Sequence, residues 1–219
     1  MTTLTEKGHA GGFVISEANG HLSRDAKTLI SGQNLVAGTV CGLLSIGTAS
    51  AAIKSGGNTG NGVFTIDATN PVRPGAKVGV YTARCITAAA NGGTFRVEDP
   101  DGNVLGDVAV GATFDDDIKF AIADGAADFI VGDGFDITVV AGSGKATQFS
   151  LTANVATGAQ IASCVLFDSV DASGGDKPCV VMSRSCEVNG NELIWPAGIT
   201  DPQKLAAIAQ LAAVGIIVR

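Results

Sequence analysis

Residues 187–219 read EVNGNELIWPAGITDPQKLAAIAQLAAVGIIVR, and this stretch decides the fold class. Glu187-Val188, the hairpin dipeptide Asn189-Gly190 and Glu192-Leu193-Ile194-Trp195 read as strand, tight turn and strand. After Trp195-Pro196 comes the one segment with helical character. Thr200 or Asp201 can cap its start, and Pro202 fits the first turn because a proline there sacrifices no backbone hydrogen bond. Leu205, Ile208 and Leu211 recur on one face, Gly215 stops the helix, and Ile216-Ile217-Val218 reads as a last short strand. The remaining helix surface is alanine, which suits close packing on a sheet or on a copy of itself. Leu193, Trp195, Pro196, Leu205 and Ile208 thus have two readings, core beneath the helix or contact between subunits, where aromatic residues are enriched.

Working outward, the rest of the chain punctuates short apolar runs with many of its 30 glycines, so the expected class is mainly β with one short C-terminal helix. Charge locates a second feature. From Gly60 to Gly144 there are twelve acids and five bases, so the whole net charge of −7 sits in that block, the kind of compositional break that marks an inserted domain. Within it Val78, Val80 and Thr82 alternate with Gly79, Tyr81 and Ala83; Phe95 and Val97 share a face, as do Ile118, Phe120 and Ile122, and Phe135, Ile137 and Val139, all with the period of a strand. Turn dipeptides such as Asn91-Gly92, Asp101-Gly102 and Asp133-Gly134 separate them. The block reads as an inserted, immunoglobulin-like β-sandwich over residues 60–144, with linkers at Gly47–Gly62 and Ala141–Ala146. A discontinuous body is expected over 13–56 and 147–219. Residues 1–12 are polar and aperiodic and read as a flexible arm. Gly11, Gly12, Phe13, Val14, Ile15 and Ser16 lead from it into an apolar run that reads either as an ordinary first strand or as an arm that adds its backbone to a partner's sheet edge.

Chemistry finds little foothold. No apolar run reaches the roughly 20 residues needed to span a bilayer, and Met1–Gly12 holds no secretion signal, so the expectation is a soluble product of the cytoplasm with no membrane partner. An acidic block without a basic stripe repels nucleic acid, so no direct DNA or RNA binding is expected. Five cysteines without a CxxC pair, and only His9 and His21 as histidines, give no metal site and read as buried, reduced hydrophobes. Gly142-Ser143-Gly144-Lys145 lacks the preceding glycine and following hydroxyl of a phosphate loop. Asp115-Asp116-Asp117 reads as a solvated loop and Asp99-Pro100-Asp101-Gly102-Asn103 as a tight turn rather than a calcium loop. No catalytic residue and no cofactor are assigned, and the chain is not expected to be an enzyme.

The stretch Asn189–Asp201 with its Leu-x-Trp-Pro element, the alanine-rich helix after it and the ending Gly215–Arg219 resemble the carboxyl end of the lambda-type bacteriophage head decoration proteins. Phe13–Gly20, Leu22-Ser23-Arg24 and Ser31–Val40 resemble the amino part of longer prophage members. The resemblance covers roughly residues 8–50 and 147–219. It implies a β-rich body that trimerises, binds the major capsid protein on the outer face of the expanded head at three-fold and quasi-three-fold positions, and stabilises the shell against packaged DNA, with an amino-terminal arm that orders on the capsid. On that reading residues 11–16 form the capsid-binding arm and the Leu193–Ile208 set the trimer or core contact. The alternative is an adhesion or carbohydrate-binding module displayed through the insert.

Overall fold

In the computed structural model, which describes residues 8–152 and 157–219, the chain divides into two units. Unit 1 comprises the residues up to Ser45, Ser143–Thr152 and Gly158–Arg219; unit 2 comprises Ile46–Gly142 together with Thr157. The first pass through unit 1 forms β1 (Val14–Glu17), β2 (Arg24–Leu29), β3 (Asn34–Leu35) and β4 (Val40–Leu43). Unit 2 holds β5 (Ile46–Ile53), β6 (Val63–Ile66), β7 (Gly79–Ala89), β8 (Gly92–Glu98), β9 (Val104–Ala109), β10 (Thr113–Asp115), β11 (Lys119–Ala123) and β12 (Gly134–Ala141). The chain then completes unit 1 with β13 (Ala146–Gln148), β14 (Cys164–Leu166), β15 (Val170–Asp171), β16 (Lys177–Met182), β17 (Cys186–Val188), α1 (Asp201–Ala213) and β18 (Ile216–Val218). The fold is mainly β with a single helix among the described residues, as the composition implied.

Unit 1 is built on a closed barrel, β13-β2-β16-β14-β4. Because side chains alternate across a strand, the wall strands β4, β14 and β16 each feed two cores. Leu29, Cys41, Cys164, Leu166, Cys179 and Val181 cluster on one side. Val40, Val165 and Met182, their sequence neighbours, face a second cluster with Phe13, Val188, Leu193, Ala207, Leu211 and Ile216. That second core joins the barrel wall to α1 and to the small sheet β1-β17-β18. The expected hairpin at Asn189-Gly190 does not form. β17 instead pairs antiparallel with β1 and parallel with β18. Gly190 donates its N–H to the Arg219 carbonyl at 2.8 Å, and the chain after the turn runs to a single bridge between Ile194 and Thr39.

Unit 2 packs a five-stranded antiparallel sheet, β5-β12-β7-β8-β9, against a three-stranded sheet, β10-β11-β6. Tyr81, Ala83, Phe95, Val97, Ile118, Phe120, Ile122, Phe135, Ile137 and Val139 fill the space between them, the residues that period-2 reading grouped. Phe95 meets Phe129 edge to face at 5.0 Å between ring centres. The stretch read as a linker at Gly47–Gly62 is in large part β5, the outermost strand of the larger sheet, paired in register with β12 from Ile53↔Phe135 to Ala49↔Val139. Its run of Gly, Ala, Ser and Thr has little hydrophobic alternation, and the backbone ladder rather than side-chain burial recruits it. On the far side β12 runs to Ala141 and β13 begins at Ala146, so the connection read at Ala141–Ala146 shortens to residues 142–145. Ala153 and Val155, read as part of a strand after Phe149, lie outside the described residues.

Several acids of unit 2 are held by specific partners, whereas Asp124 Oδ1 is buried without one among the described residues. Lys77 places its ammonium 2.6 Å from both Asp99 and Asp101, and Asp99 Oδ1 also accepts the backbone N–H groups of Asp101 and Asn103, closing the expected tight turn. Lys77, and after it Asn103, hold the Asp99 carboxyl far below the usual range, while Lys77 itself is raised. The Asn70 N–H, Lys119 and the Thr69 N–H lower Asp67 to about 2. Asp115 pairs with Arg73 at 2.6 Å. Asp117 departs from the solvated-loop reading. Burial raises it, against a hydrogen bond from the Tyr81 hydroxyl at 3.2 Å. A carboxyl with a lowered folded pKa stabilises above its unfolded value, about pH 4, and loses that stabilisation as the pH falls through its folded value; raised Asp117 works in the opposite sense. The lowered groups outnumber it, so unit 2 is expected to lose stability from about pH 4 down to about pH 2. Lys77→Met should shrink the difference in unit 2 stability between pH 7 and pH 3. Denaturant titration followed on Tyr81, the only tyrosine, checks this, and an unchanged difference would refute it.

Candidate functional site

Two surfaces of unit 1 carry the residues that the sequence singles out. The first is the amino-terminal edge. Gly11 donates its N–H to the Phe167 carbonyl at 2.8 Å, and Gly12 donates to His9 at 3.0 Å. Gly11 has φ +66°, and a Cβ there would come within 2.5 Å of the Phe167 ring, so both backbone conformation and space require glycine. Phe13 is 2% exposed and sits in the second core, with its carbonyl accepting the Asn189 N–H at 2.8 Å. The last residues of the expected flexible arm, 8–12, therefore lie against unit 1, drawn in by the burial of Phe13 and the close approach at Gly11; residues 1–7 lie outside the described residues.

From Val14 the chain enters β1, the edge of its sheet. Its inner side pairs with β17, with an irregularity between Val14 and Ser16. Ser16 Oγ donates to Glu187 at 3.0 Å. Glu17 is lowered by its hydrogen bond and ion pair with Arg24, and the Arg24 guanidinium lies 4.1 Å from the Phe167 ring centre. Of the six arm residues Gly12, Ile15 and Ser16 are exposed, Ile15 at 55%. A groove of about 470 Å³ opens beside this segment, lined by Gly8, His9, Phe13, Val36, Glu192 and Ile194 among others. Val36 and Ile194 are exposed. Sequence reading found β1 but not Val36 or Ile194, which no periodicity marks. A sheet edge with no strand partner on its outer side among the described residues, next to a partly apolar groove, is suited to receiving an extended chain.

The second surface is the outer face of α1. Gln203 Oε1 accepts from both the N–H and the hydroxyl of Thr200 at 2.9 Å, fixing the start of the helix. Gly215, at φ +84°, ends it. Ala207 and Leu211 are fully buried, Ile208 half-buried. Leu193 is in the core at 5% exposure. Trp195 is half-buried against the same core, its indole Nε1 buried without an acceptor among the described residues, and the Lys204 ammonium lies 5.6 Å from its ring centre. Pro196 is partly exposed. Leu205 departs from the face expected of it: at 67% exposure it points away from the core, and the core reading falls away for this residue. It shares the outer face with Ala206, Ala209, Ala212 and Ala213, all exposed, and no charged side chain occurs between Lys204 and Arg219.

Among the described residues no group of three or more His, Cys, Asp or Glu side chains is arranged to hold a metal ion, and no helix is long and apolar enough to cross a membrane.

No curated protein matches the chain. Two crystal forms of FlgL from Xanthomonas campestris are similar to it at 20% identity, with TM-scores of 0.32 and 0.31 over 49% and 52% of this chain. The match spans only 33% of FlgL in each case, and the scores are below those of a shared fold. The pattern of the family described as bacteriophage lambda head decoration protein D, in contrast, matches residues 3–216, a span that takes in both units, and the chain belongs to that family.

Proposed function

We propose that the protein attaches as a homotrimer to the major capsid protein on the outer face of an expanded phage head, at three-fold and quasi-three-fold positions, and stabilises the shell against the pressure of packaged DNA. Family membership makes it a structural protein of the phage head that binds the capsid. The observation that carries the finer reading is the pairing of an open sheet edge with an uncharged helix face on the same unit. The edge at β1, continued by residues 1–12, is the segment suited to adding backbone to a capsid sheet. The outer face of α1, with Leu205 at its centre, is suited to contact between copies. Three arms on one trimer turn a modest affinity per arm into firm attachment. Selective binding to the expanded shell stabilises that state by mass action.

Unit 2 has a different job on this reading. Its excess of acids keeps particles apart and soluble. Display of a sugar-binding site is the weaker reading, because Tyr81, Phe95, Phe114, Phe120, Phe129 and Phe135 are all turned inward and sugar rings bind best on exposed aromatic faces.

Co-sedimentation with expanded heads tests the proposal. Deleting residues 2–7, which stops short of the residues that lie against unit 1, should lower attachment by about 100-fold, since three arms are lost from each trimer. Replacing residues 46–142 with a short Gly-Ser linker should leave attachment within about threefold of the full chain, because unit 1 closes its own barrel. Full attachment without the arm, or none without unit 2, would refute the assignment of surfaces.

A further inference from the structure

We propose that Cys41 and Cys164 are a disulfide site, a cross-strand bond that ties β4 to β14 inside the barrel. The two residues are direct partners in the antiparallel pairing of these strands. Directly opposed residues in such a pair have Cα atoms about 4.5–5.5 Å apart, inside the range that a disulfide spans. Their side chains project to the same side of the wall. Both belong to the cluster with Leu29, Leu166 and Val181, whereas Val40 and Val165, the neighbouring pair, belong to the other core. The Cys164 thiol already lies 3.9 Å from the Cys41 carbonyl. Both thiols are free in this structure.

The third thiol of the cluster, Cys179, is excluded by register. Leu166 opposes Val181, which sets Cys179 against position 168 rather than Cys164, and β14 lies between its strand and β4, so Cys179 is a direct cross-strand partner of neither cysteine. The remaining two cysteines lie elsewhere, Cys85 in the core of unit 2 and Cys186 in the second core of unit 1.

The oxidant is a small-molecule disulfide such as oxidised glutathione. One cysteine, as thiolate, attacks it, forming a mixed disulfide and releasing one thiol. The second cysteine displaces the other thiol and closes the bond, so the two protons and two electrons of the cysteine pair end on two released thiols. Burial raises Cys164 to about 12 and Cys41 well above the usual thiol range, which makes the reactive thiolate scarce while the barrel is closed. The bond therefore forms as the chain folds or opens. Once made, it encloses residues 42–163 and with them Ile46–Gly142 of unit 2, tying the barrel strands on either side of that excursion; linking across a long loop is where a cross-link restricts the unfolded chain most.

The full chain, unfolded and reduced, is refolded with a mixture of reduced and oxidised glutathione, quenched with iodoacetamide and compared with a sample refolded in dithiothreitol. The expected result is an intact mass about 2 Da lower before alkylation, a proteolytic peptide joining Cys41 to Cys164, and a melting temperature for unit 1 raised by about 5–15 °C that dithiothreitol abolishes. Cys179→Ala keeps the bond and Cys164→Ala loses it; should Cys164→Ala fail to fold, the peptide map of the unsubstituted chain decides. Five alkylated thiols after oxidative refolding, or a map joining any other pair, would overturn the proposal.

Discussion

If the chain assembles as the trimer proposed above, Leu205→Asp is expected to convert it into monomers without unfolding the chain. The side chain is 67% exposed in the protomer, and exposed substitutions away from caps and cores change stability by about 0.5 kcal/mol or less. Thr200 and Gln203, which fix the start of the helix, are untouched. In an assembly the same position has a different environment. Leu205 lies among Ala206, Ala209 and Ala212 on a face with no cation beyond Lys204, so each carboxylate brought into a contact there would be desolvated without a partner, and related copies would bring their carboxylates together. Loss of the trimer removes the multiplication of arms, and attachment to heads should fall by about 10²–10⁴-fold. Light scattering coupled to size exclusion should report about three times 21.8 kDa for the parent chain and 21.8 kDa for the variant, with unchanged circular dichroism. A variant that retains the parent mass would move the subunit contact away from α1.

How much of this was readable in the sequence depends on how each element is held. Strands held by side-chain burial announced themselves: Ile118-Phe120-Ile122 and Phe135-Ile137-Val139 alternate cleanly, and all six are buried. β5 is held by its backbone ladder to β12 and carries small side chains, so it looked like a linker. β17 finds its partners at Val14–Glu17 and Ile216–Val218, and pairing over such sequence distances leaves no local mark at Asn189-Gly190. The helix was legible but its phase was not. At about 100° per residue Leu205 stands roughly 120° from Leu211. With alanine on most other positions, only the packed structure shows that Ala207 and Leu211 define the inner face. Phe13 is the opposite case: a single aromatic after two glycines has no period to read, yet its burial decides where any loose arm must end.

That position carries the second large effect. Phe13→Ala should lower the unfolding free energy of unit 1 by about 3–5 kcal/mol, the usual cost of removing a fully buried aromatic ring. The ring is 2% exposed in a core shared with Val188, Leu193 and Leu211, so its removal leaves a cavity between β1, β17 and α1. The backbone at Phe13 also receives the Asn189 N–H, and Val14 N–H bonds back to Gly11. Loosening Phe13 therefore frees the whole segment that presents β1. Capsid attachment should fall with stability in this variant, whereas deletion of residues 2–7 should reduce attachment and leave stability alone. The two effects separate because Trp195, the only tryptophan, lies against the core that Phe13 fills. Urea unfolding followed on its fluorescence should show a lower midpoint for Phe13→Ala and an unchanged midpoint for the deletion. A Phe13→Ala loss below about 1 kcal/mol, too small for a buried ring, would mean that Phe13 does not anchor this core and belongs with the arm expected over residues 1–12.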